Sequence, residues 1–564
     1  MSTSVFETQI RHDPYERHDD MQPVLDEDAV ARITRYGETR TVEAGEILFE
    51  IGDSQTEFIL VLSGLVAIEV DGCDGTTTVV EHGRGGFTGE IDMFSNRKAV
   101  VRSVCREAGE IAYLGRDAFR RMLARNADLS ETIIRAFILR RTGLIYTEQG
   151  DTILLGEDDL GETLALRSFL SRNGHPHKFV DPSDEPDFAR RVMETFSLSK
   201  EDLPAVIWRM TEVLKRPSPH DVADLLGLSQ PSCPRDVYDV AVIGVGPAGL
   251  AAAVNAAAEG MTVIAIEGTA PGGQAGTSSK IENYPAFPTG ISGQALSSRM
   301  LLQAQKFGTD IITPRTVKAI ACGARPYTLT LDDDQELHAH AIVIASGARW
   351  RKLGLDGEDR LENAGLYYGA TPVEAALCER EEVVIVGGGN SSGQAAIFLS
   401  RKAHRVHILV RTENLAVSMS DYLIQRIEEA ENIELHFCTE VIAVEGERHL
   451  EAMTWRDNKT GEEVEKDIRH LFVMIGAVPN TEWLDDCVLR DPKGFVLTGS
   501  DLPAAALVAR EWDVPRMPYT GETSRPGLFA VGDVRSGSVK RVASAVGEGA
   551  ISAQFLYKVV HEDD

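Results

Sequence analysis

Between Ala31 and about Leu114 the apolar positions come in short runs: Glu46-Ile47-Leu48-Phe49, Phe58-Ile59-Leu60-Val61-Leu62 and Leu65-Val66-Ala67-Ile68-Glu69-Val70. Gly52, Gly64, Gly72 and Gly75 stand at the breaks. Short runs with regular turn signals predict a small β-roll. The period then lengthens. Phe119, Met122 and Leu123, followed by Ile133, Ile134, Phe137 and Ile138, predict helix from Arg116 to about Tyr146. A smaller α/β unit follows at 152–228. It has strands at Thr152-Ile153-Leu154-Leu155, His177-Lys178-Phe179-Val180 and Ala205-Val206-Ile207-Trp208, with helices at Leu160–Asn173 and Ser218–Leu225. Beyond Val237 the pattern is strand, glycine turn, helix, strand, and it occurs twice, at 238–267 and at 382–411. Two copies of one nucleotide-binding unit mean two sites, or a duplicated fold with one site lost.

The boundaries follow from these patterns. We read a flexible N-terminus at 1–24, a roll domain at 25–147, the small α/β unit at 152–228 and a linker at 229–236. A split domain at 237–353 and 481–564 surrounds an inserted one at 354–480. The chain of 564 residues is 43% apolar, enough for several cores. Its formal charge of −30 argues against nucleic acid or an anionic membrane as partner of the whole chain. Glu259 and several glycines interrupt the most apolar stretch, Val240 to Ile266, so no membrane span is expected. The polar start of the chain shows no signal peptide. Cys73, Cys105, Cys233, Cys322, Cys378, Cys438 and Cys487 are scattered, and no two stand three apart. That excludes a C-x-x-C for metal or redox work, and no metal ligand set is read. Sparse cysteines suit a reducing cytoplasm better than a disulfide framework.

The first glycine turn follows strand Asp239–Ile243 and reads Gly244-Val245-Gly246-Pro247-Ala248-Gly249. Such a turn lets a diphosphate approach the backbone at a helix N-terminus. Glu267 lies 23 residues after Gly244, where a carboxylate accepts ribose hydroxyls. The second turn is Gly387-Gly388-Gly389-Asn390-Ser391-Ser392 after Val383–Val386. Its acid position holds Arg411, and a guanidinium there pairs with a 2′-phosphate, which tilts the choice to NADPH while leaving NADH open. Leu528–Val531 leads to Gly532-Asp533, where a carboxylate suits the ribityl hydroxyls of a flavin.

On these residues, 237–564 resembles the low-molecular-weight thioredoxin reductases, FAD- and NADPH-binding flavoproteins. Gly244 to Gly249 resembles their FAD turn. Gly272-Gly273-Gln274 and Glu282-Asn283-Tyr284-Pro285 resemble the loop against the flavin, and Ala345-Ser346-Gly347-Ala348 the strand end before the crossover. Gly387-Gly388-Gly389-Asn390-Ser391 resembles the NADPH turn, and Gly532-Asp533-Val534 with Lys540-Arg541-Val542 the last FAD motif. The resemblance implies a multidomain α/β fold with two Rossmann-like domains and usually a homodimer. The departure is at Tyr368-Gly369-Ala370-Thr371-Pro372-Val373, where the family has its redox C-x-x-C. Gly369 and Pro372 replace both cysteines, and Cys378 stands alone nearby. Thr412 stands where the family often has a second arginine.

Residues 25–145 resemble cyclic-nucleotide-binding domains of the catabolite-activator type. Gly89 and Glu90 match the start of the phosphate cassette, Arg97 is the candidate for a cyclic phosphate, and Lys98-Ala99 departs from the usual small hydroxyl residue. Such domains pair through the helix after the roll, here Asp128 to Tyr146. No helix-turn-helix follows. Residues 152–228 resemble a thioredoxin-like unit, with Leu203-Pro204-Ala205-Val206 as its cis-proline turn. Its first loop, Gly156-Glu157-Asp158-Asp159, has no cysteine. The expectation is a cytoplasmic oxidoreductase that takes hydride from NADPH onto FAD with no assignable catalytic side chain. The acceptor is open among a partner protein's disulfide, a ferredoxin or flavodoxin, and a small molecule. The rival is a redox or ligand sensor with little turnover.

Overall fold

The computed structural model describes residues 20–562, apart from 55, 73–74, 90, 95–96, 147–150, 159, 232–233, 279, 371, 510–511 and 513. Helix α1 (Glu27–Thr34) precedes an antiparallel roll of β1 (Glu38–Val42), β2 (Ile47–Phe49), β3 (Phe58–Gly72), β4 (Gly75–His82) and β5 (Arg102–Leu114). The order is β1-β5-β3-β4, with β2 also on β5. Helices α2 (Arg116–Arg125) and α3 (Ala127–Tyr146) close one end, where Phe58, Phe87, Phe94, Phe119 and Phe137 pack ring against ring. Much of the apolar face of α3 is therefore used inside its own chain.

The second unit runs β6 (Thr152–Leu155), α4 (Gly161–Arg172), β7 (Lys178–Val180), α5 (Pro186–Thr195), β8 (Ala205–Trp208), β9 (Glu212–Lys215) and α6 (Pro219–Leu226). Its sheet order is β7-β6-β8-β9, with β6 parallel to β7 and antiparallel to β8. The Leu203–Pro204 bond before β8 is cis. Ser218 and Asp221 cap α6 reciprocally, and Gly227 ends it in the left-handed region.

The third unit is doubly wound. It contains β10 (Tyr238–Ile243), α7 (Pro247–Ala258), β11 (Val263–Ile266), α8 (Gly293–Lys306) and β12 (Asp310–Ile312). A meander follows, β13 (Val317–Ala321), β14 (Tyr327–Leu331) and β15 (Glu336–Ile344). The order β12-β11-β10-β15-β14-β13 keeps the first four strands parallel. The chain leaves along β16 (Ala348–Trp350). It then builds a parallel sheet from β17 (Leu366–Tyr367), α9 (Pro372–Leu377), β18 (Glu382–Val386), α10 (Asn390–Leu399), β19 (Arg405–Val410), α11 (Asp421–Glu428) and β20 (Ile433–Phe437). A three-stranded sheet of β21 (Thr439–Glu445), β22 (Ala452–Asp457) and β23 (Glu463–Lys466) covers one face. After β24 (Leu471–Val473) the chain returns along β25 (Ala477–Pro479), antiparallel to β16. Strand β26 (Leu528–Ala530) then pairs in parallel with β15, and α12 (Val542–Val560) packs on α7. Alanines 248, 251–253, 256 and 257 keep α7 narrow enough to be buried between the sheet and α12. Among the described residues no helix is long and apolar enough to cross a membrane.

The roll docks on the third unit, since Leu302 of α8 joins the core of Phe94, Phe119 and Phe137. In the second unit His177 lies partly buried with its Nδ1 2.9 Å from the carbonyl of His175. Burial pulls its imidazole down to about 4, against a free value of 6.5. With the folded value below the unfolded one, this histidine leaves stability intact above 6.5 and removes it as pH falls toward 4. His177→Gln should therefore gain on the wild type by on the order of 3 kcal/mol across that window. Urea midpoints at pH 7.5, 6 and 4.5 measure it, and a gap independent of pH refutes it.

Candidate functional site

At the carboxyl ends of β10 and β15 the backbone is packed against itself. Gly244 has φ +99°, and a β-carbon there would strike the carbonyl of Ala345. One on Gly249 would strike the carbonyl of Gly244. Gly246 caps α7 and Pro247 takes its first position, so the first turn of that helix has N–H groups without intrahelical partners. A β-carbon on Gly273 would come 3.1 Å from Gly246 Cα. The two glycines therefore lie in near contact, which only residues without side chains allow, beside a helix N-terminus of the kind that binds a diphosphate.

The Glu267 carboxylate sits beneath the turn. It accepts from Val245 N at 2.8 Å and from Thr269 N at 3.1 Å. Burial pushes its carboxyl up, while those N–H groups and the charge of Arg172 hold it down. Ala248 is buried and meets Gly532, bringing the last FAD motif onto α7. Asp533 is half-buried, and desolvation raises its carboxyl despite Lys540. It is an acceptor for hydroxyls, as a ribityl chain requires. Gln274 Nε2 donates to the carbonyl of Ala348, tying the flavin loop to β16. Val542 packs with Ile281, Ile291 and Leu296, Arg541 caps α12 in an exposed position, and Asn283 is exposed on its loop. Contacts thus join Gly244, Gly249, Glu267, Ala248, Gly532, Gly273, Gln274 and Ala348 near the carboxyl end of the sheet, while Asn283 and Arg541 are exposed. Three hydrogen bonds escape the sequence reading. Ser346 and Asn480 bond each other's backbone across the crossover, at 2.8 and 2.9 Å, and Glu548 accepts from Gly532 N at 2.7 Å.

The second turn repeats the geometry. Gly389 caps α10, and Gly387 lies against the carbonyl of Met474. Asn390 Oδ1 accepts from Ser420 N at 2.7 Å, Ser391 is exposed, and the Ser392 hydroxyl is buried without a partner. Arg411 is exposed just beyond β19. His407, Glu434 and His436 bring one ligating atom each within 4.8 Å, but they spend them on one another: His407 Nδ1 lies 3.0 Å from His436 Nε2 and 3.3 Å from Glu434.

In the roll, Gly89 has φ +111° and its carbonyl accepts from Arg140 at 3.0 Å. Glu90 lies outside the described residues. Arg97 reaches the second unit, donating to the carbonyl of Asn173 at 2.7 Å.

The cysteine reading needs correction. Cys322 and Cys487 form a disulfide, with Cα atoms 5.9 Å apart and 165 residues between them in sequence. Spacing along the chain could not show it, because the pair meets only where the end of β13 packs on the segment after the second crossover. Cys105, Cys378 and Cys438 are free and buried. Burial raises the Cys378 thiol far above its usual range, so it stays protonated. Gly369 lies against Thr277 of the flavin loop, where its β-carbon would be 3.6 Å from the hydroxyl.

The sequence model of pyridine nucleotide-disulphide oxidoreductases matches residues 238–549, and that of the cyclic nucleotide-binding domain matches 39–126. A thioredoxin reductase of Eremothecium gossypii is 32% identical over 342 residues, 58% of this chain and 98% of that protein. One of Bacillus subtilis is 31% identical over 327 residues, 58% of this chain and 96% of that protein. The crystal structure of Lactococcus lactis thioredoxin reductase, in its FR conformation, matches with a TM-score of 0.52 at 30% identity, covering 58% of this chain and 99% of that one.

The disulfide has a direct readout. Thiol titration of the denatured chain should find two more thiols after reduction than before, those of Cys322 and Cys487. An equal count before and after would refute the bridge.

Proposed function

The chain belongs to the pyridine nucleotide-disulphide oxidoreductase family. From that premise we propose that it draws electrons from NADPH and hands them to an acceptor outside the chain without an internal dithiol relay. As a member it is an FAD-containing, NAD(P)H-dependent oxidoreductase of thioredoxin reductase type. FAD, when bound, supplies the two-electron chemistry.

The residues divide the work of holding the cofactors. Glu267 would take the ribose hydroxyls, the Gly244–Gly249 turn and Gly273 the diphosphate, and Asp533 the ribityl chain, while Gln274, Asn283, Ala348, Arg541 and Val542 frame the flavin. Gly387, Gly389, Asn390, Ser391 and Ser392 would take the diphosphate of NADPH, and Arg411 its 2′-phosphate.

One observation carries the claim about the relay. At the contact between the two nucleotide units a glycine, Gly369, faces the flavin loop, and the nearest free thiol in sequence, Cys378, is buried and protonated. A relay needs one thiolate to attack and a second to resolve. The acceptor is then a partner protein's disulfide, a one-electron carrier or a small molecule, reached directly by the flavin in the cytoplasm. A homodimer belongs to this reading, and Ile551 and Tyr557 are exposed apolar side chains of α12 that a second copy would cover. The packing of the roll on the second unit supports a second reading, in which a cyclic nucleotide tunes or replaces turnover.

Purified protein should be yellow, with about one FAD per chain. Anaerobic reduction by NADPH should expose no new thiols and should not lead to thioredoxin reduction. Two thiols that appear on reduction and vanish in Cys487→Ser would overturn the direct route. Arg411→Ala should raise the KM for NADPH at least about tenfold more than that for NADH, as expected for a lost charge-assisted hydrogen bond. Equal changes would place Arg411 away from the phosphate.

A further inference from the structure

Strands β19 and β20 pair with His407 opposite Glu434 and Leu409 opposite His436. Strand alternation then sets His407, Glu434 and His436 on one face of the parallel sheet. Glu382 of β18 reaches the same cluster from the next strand. Trp455 of β22 lies over it, with its ring centroid 5.6 Å from that of each imidazole. His407 is buried there, while Glu434 and His436 are partly exposed. The cluster stands apart from both glycine turns, and nothing in the reading of those turns uses it.

Among the described residues, these three side chains bring one ligating atom each within 4.8 Å of one another. His407 Nδ1 lies 3.0 Å from His436 Nε2 and 3.3 Å from Glu434 Oε2, and the last two atoms are 3.9 Å apart. A triangle with those sides has a centre about 2.0 Å from every corner, which is the length of a bond from zinc to imidazole or carboxylate. The contacts the three atoms make with one another are thus the ones an ion between them would replace.

The hydrogens of His407 supply a second argument. Its Nε2 lies 3.3 Å from Glu382 Oε2 and its Nδ1 3.3 Å from Glu434 Oε2. A neutral imidazole carries one hydrogen, and a carboxylate only accepts. A neutral His407 therefore turns a bare nitrogen toward one carboxylate or the other. A cation on Nδ1 removes the conflict. The hydrogen then stays on Nε2 and is donated to Glu382, the outer carboxylate that a metal-bound histidine usually keeps. Arg405 holds Glu434 Oε1, which leaves Oε2 for the ion.

We propose that His407 Nδ1, His436 Nε2 and Glu434 Oε2 form a binding site for a zinc-class divalent cation, with Glu382 as the residue that orients His407. Two imidazoles and one carboxylate suit Zn²⁺, whereas Mg²⁺ and Ca²⁺ favour oxygen alone. Water takes the remaining position on the exposed side. The ion staples β20, the outer strand of its sheet, to β19 beneath Trp455. No spacing motif announces the site, because its ligands come from two strands separated by a helix.

The test uses the full-length chain after chelation and desalting. Zn²⁺ affinity is read by competition with a chromophoric chelator, and thermal unfolding is followed with and without the ion. The wild type should take up about one equivalent that excess Mg²⁺ or Ca²⁺ does not displace, and should unfold at a higher temperature when loaded. His436→Ala should lose at least about a hundredfold in affinity, together with the thermal gain. Glu382→Ala should lose about tenfold, the cost of an outer partner. If His436→Ala does not fold, Glu434→Gln must show the larger loss in its place. Co²⁺ should give visible bands without the charge-transfer band of a thiolate. The proposal is overturned by a wild type that takes up no Zn²⁺, by unchanged affinity in the folded variant, or by a thiolate band with Co²⁺. None of these readouts uses flavin or NADPH, so failure here is distinct from failure of the functional reading.

Discussion

No β-carbon fits at Gly244 or Gly249, because β10, β15 and α7 bring backbone onto backbone at the carboxyl edge of the sheet. Much of the C-terminal half is arranged around that contact. The narrow, alanine-rich α7 can lie on the sheet because its residues are small, and α12 can lie on α7 for the same reason. Glu267 ends β11 directly under the turn, and Gly532 reaches Ala248 because β26 inserts beside β15. A strand contributed from 528–530 thus completes a sheet begun at 238, with the whole second nucleotide unit inserted between them.

That insertion is held at its neck. Strands β16 and β25 pair antiparallel, Ser346 and Asn480 exchange hydrogen bonds, and Cys322 is bonded to Cys487 just past the return. Arg426 of the inserted unit also pairs with Glu282 on the flavin loop at 2.7 Å. The surface where the two nucleotide units meet carries Gly369 and Thr277, a backbone and a hydroxyl in place of sulfur. The fold at this contact forms with Gly369 and Pro372 at the positions where the resemblance to the reductases implies a C-x-x-C.

The N-terminal units are packed in rather than strung on. Leu302 enters the core of the roll, Lys98 lies over the Trp208 ring, and Arg448 of the inserted unit pairs with Glu157 at 3.4 Å. At these junctions Arg97, Arg141 and Arg172 each donate to a backbone carbonyl of another unit. A carbonyl fixes direction more tightly than a solvated carboxylate does, which suits contacts that must hold one domain at a set angle to another.

The missing cysteines at 369 and 372 follow only from the family resemblance, whereas local spacing was enough to read the two glycine turns, the placing of Glu267 and Arg411 after them, and the roll followed by its helices. Each of these depends on residues within about one supersecondary unit, where period and turn chemistry leave few alternatives. The partners of Arg97 and Arg172, the Ser346–Asn480 exchange, the role of Glu548 and the Cys322–Cys487 bond were not legible. Their partners lie between 16 and 165 residues away or in another unit. The sequence by itself determined which turns can hold a dinucleotide, because that depends on the absence of β-carbons and the presence of one charge at a set distance. Only the tertiary structure decided which side chains from distant segments arrive beside those turns, because that depends on how whole sheets and helices bury their apolar faces against one another.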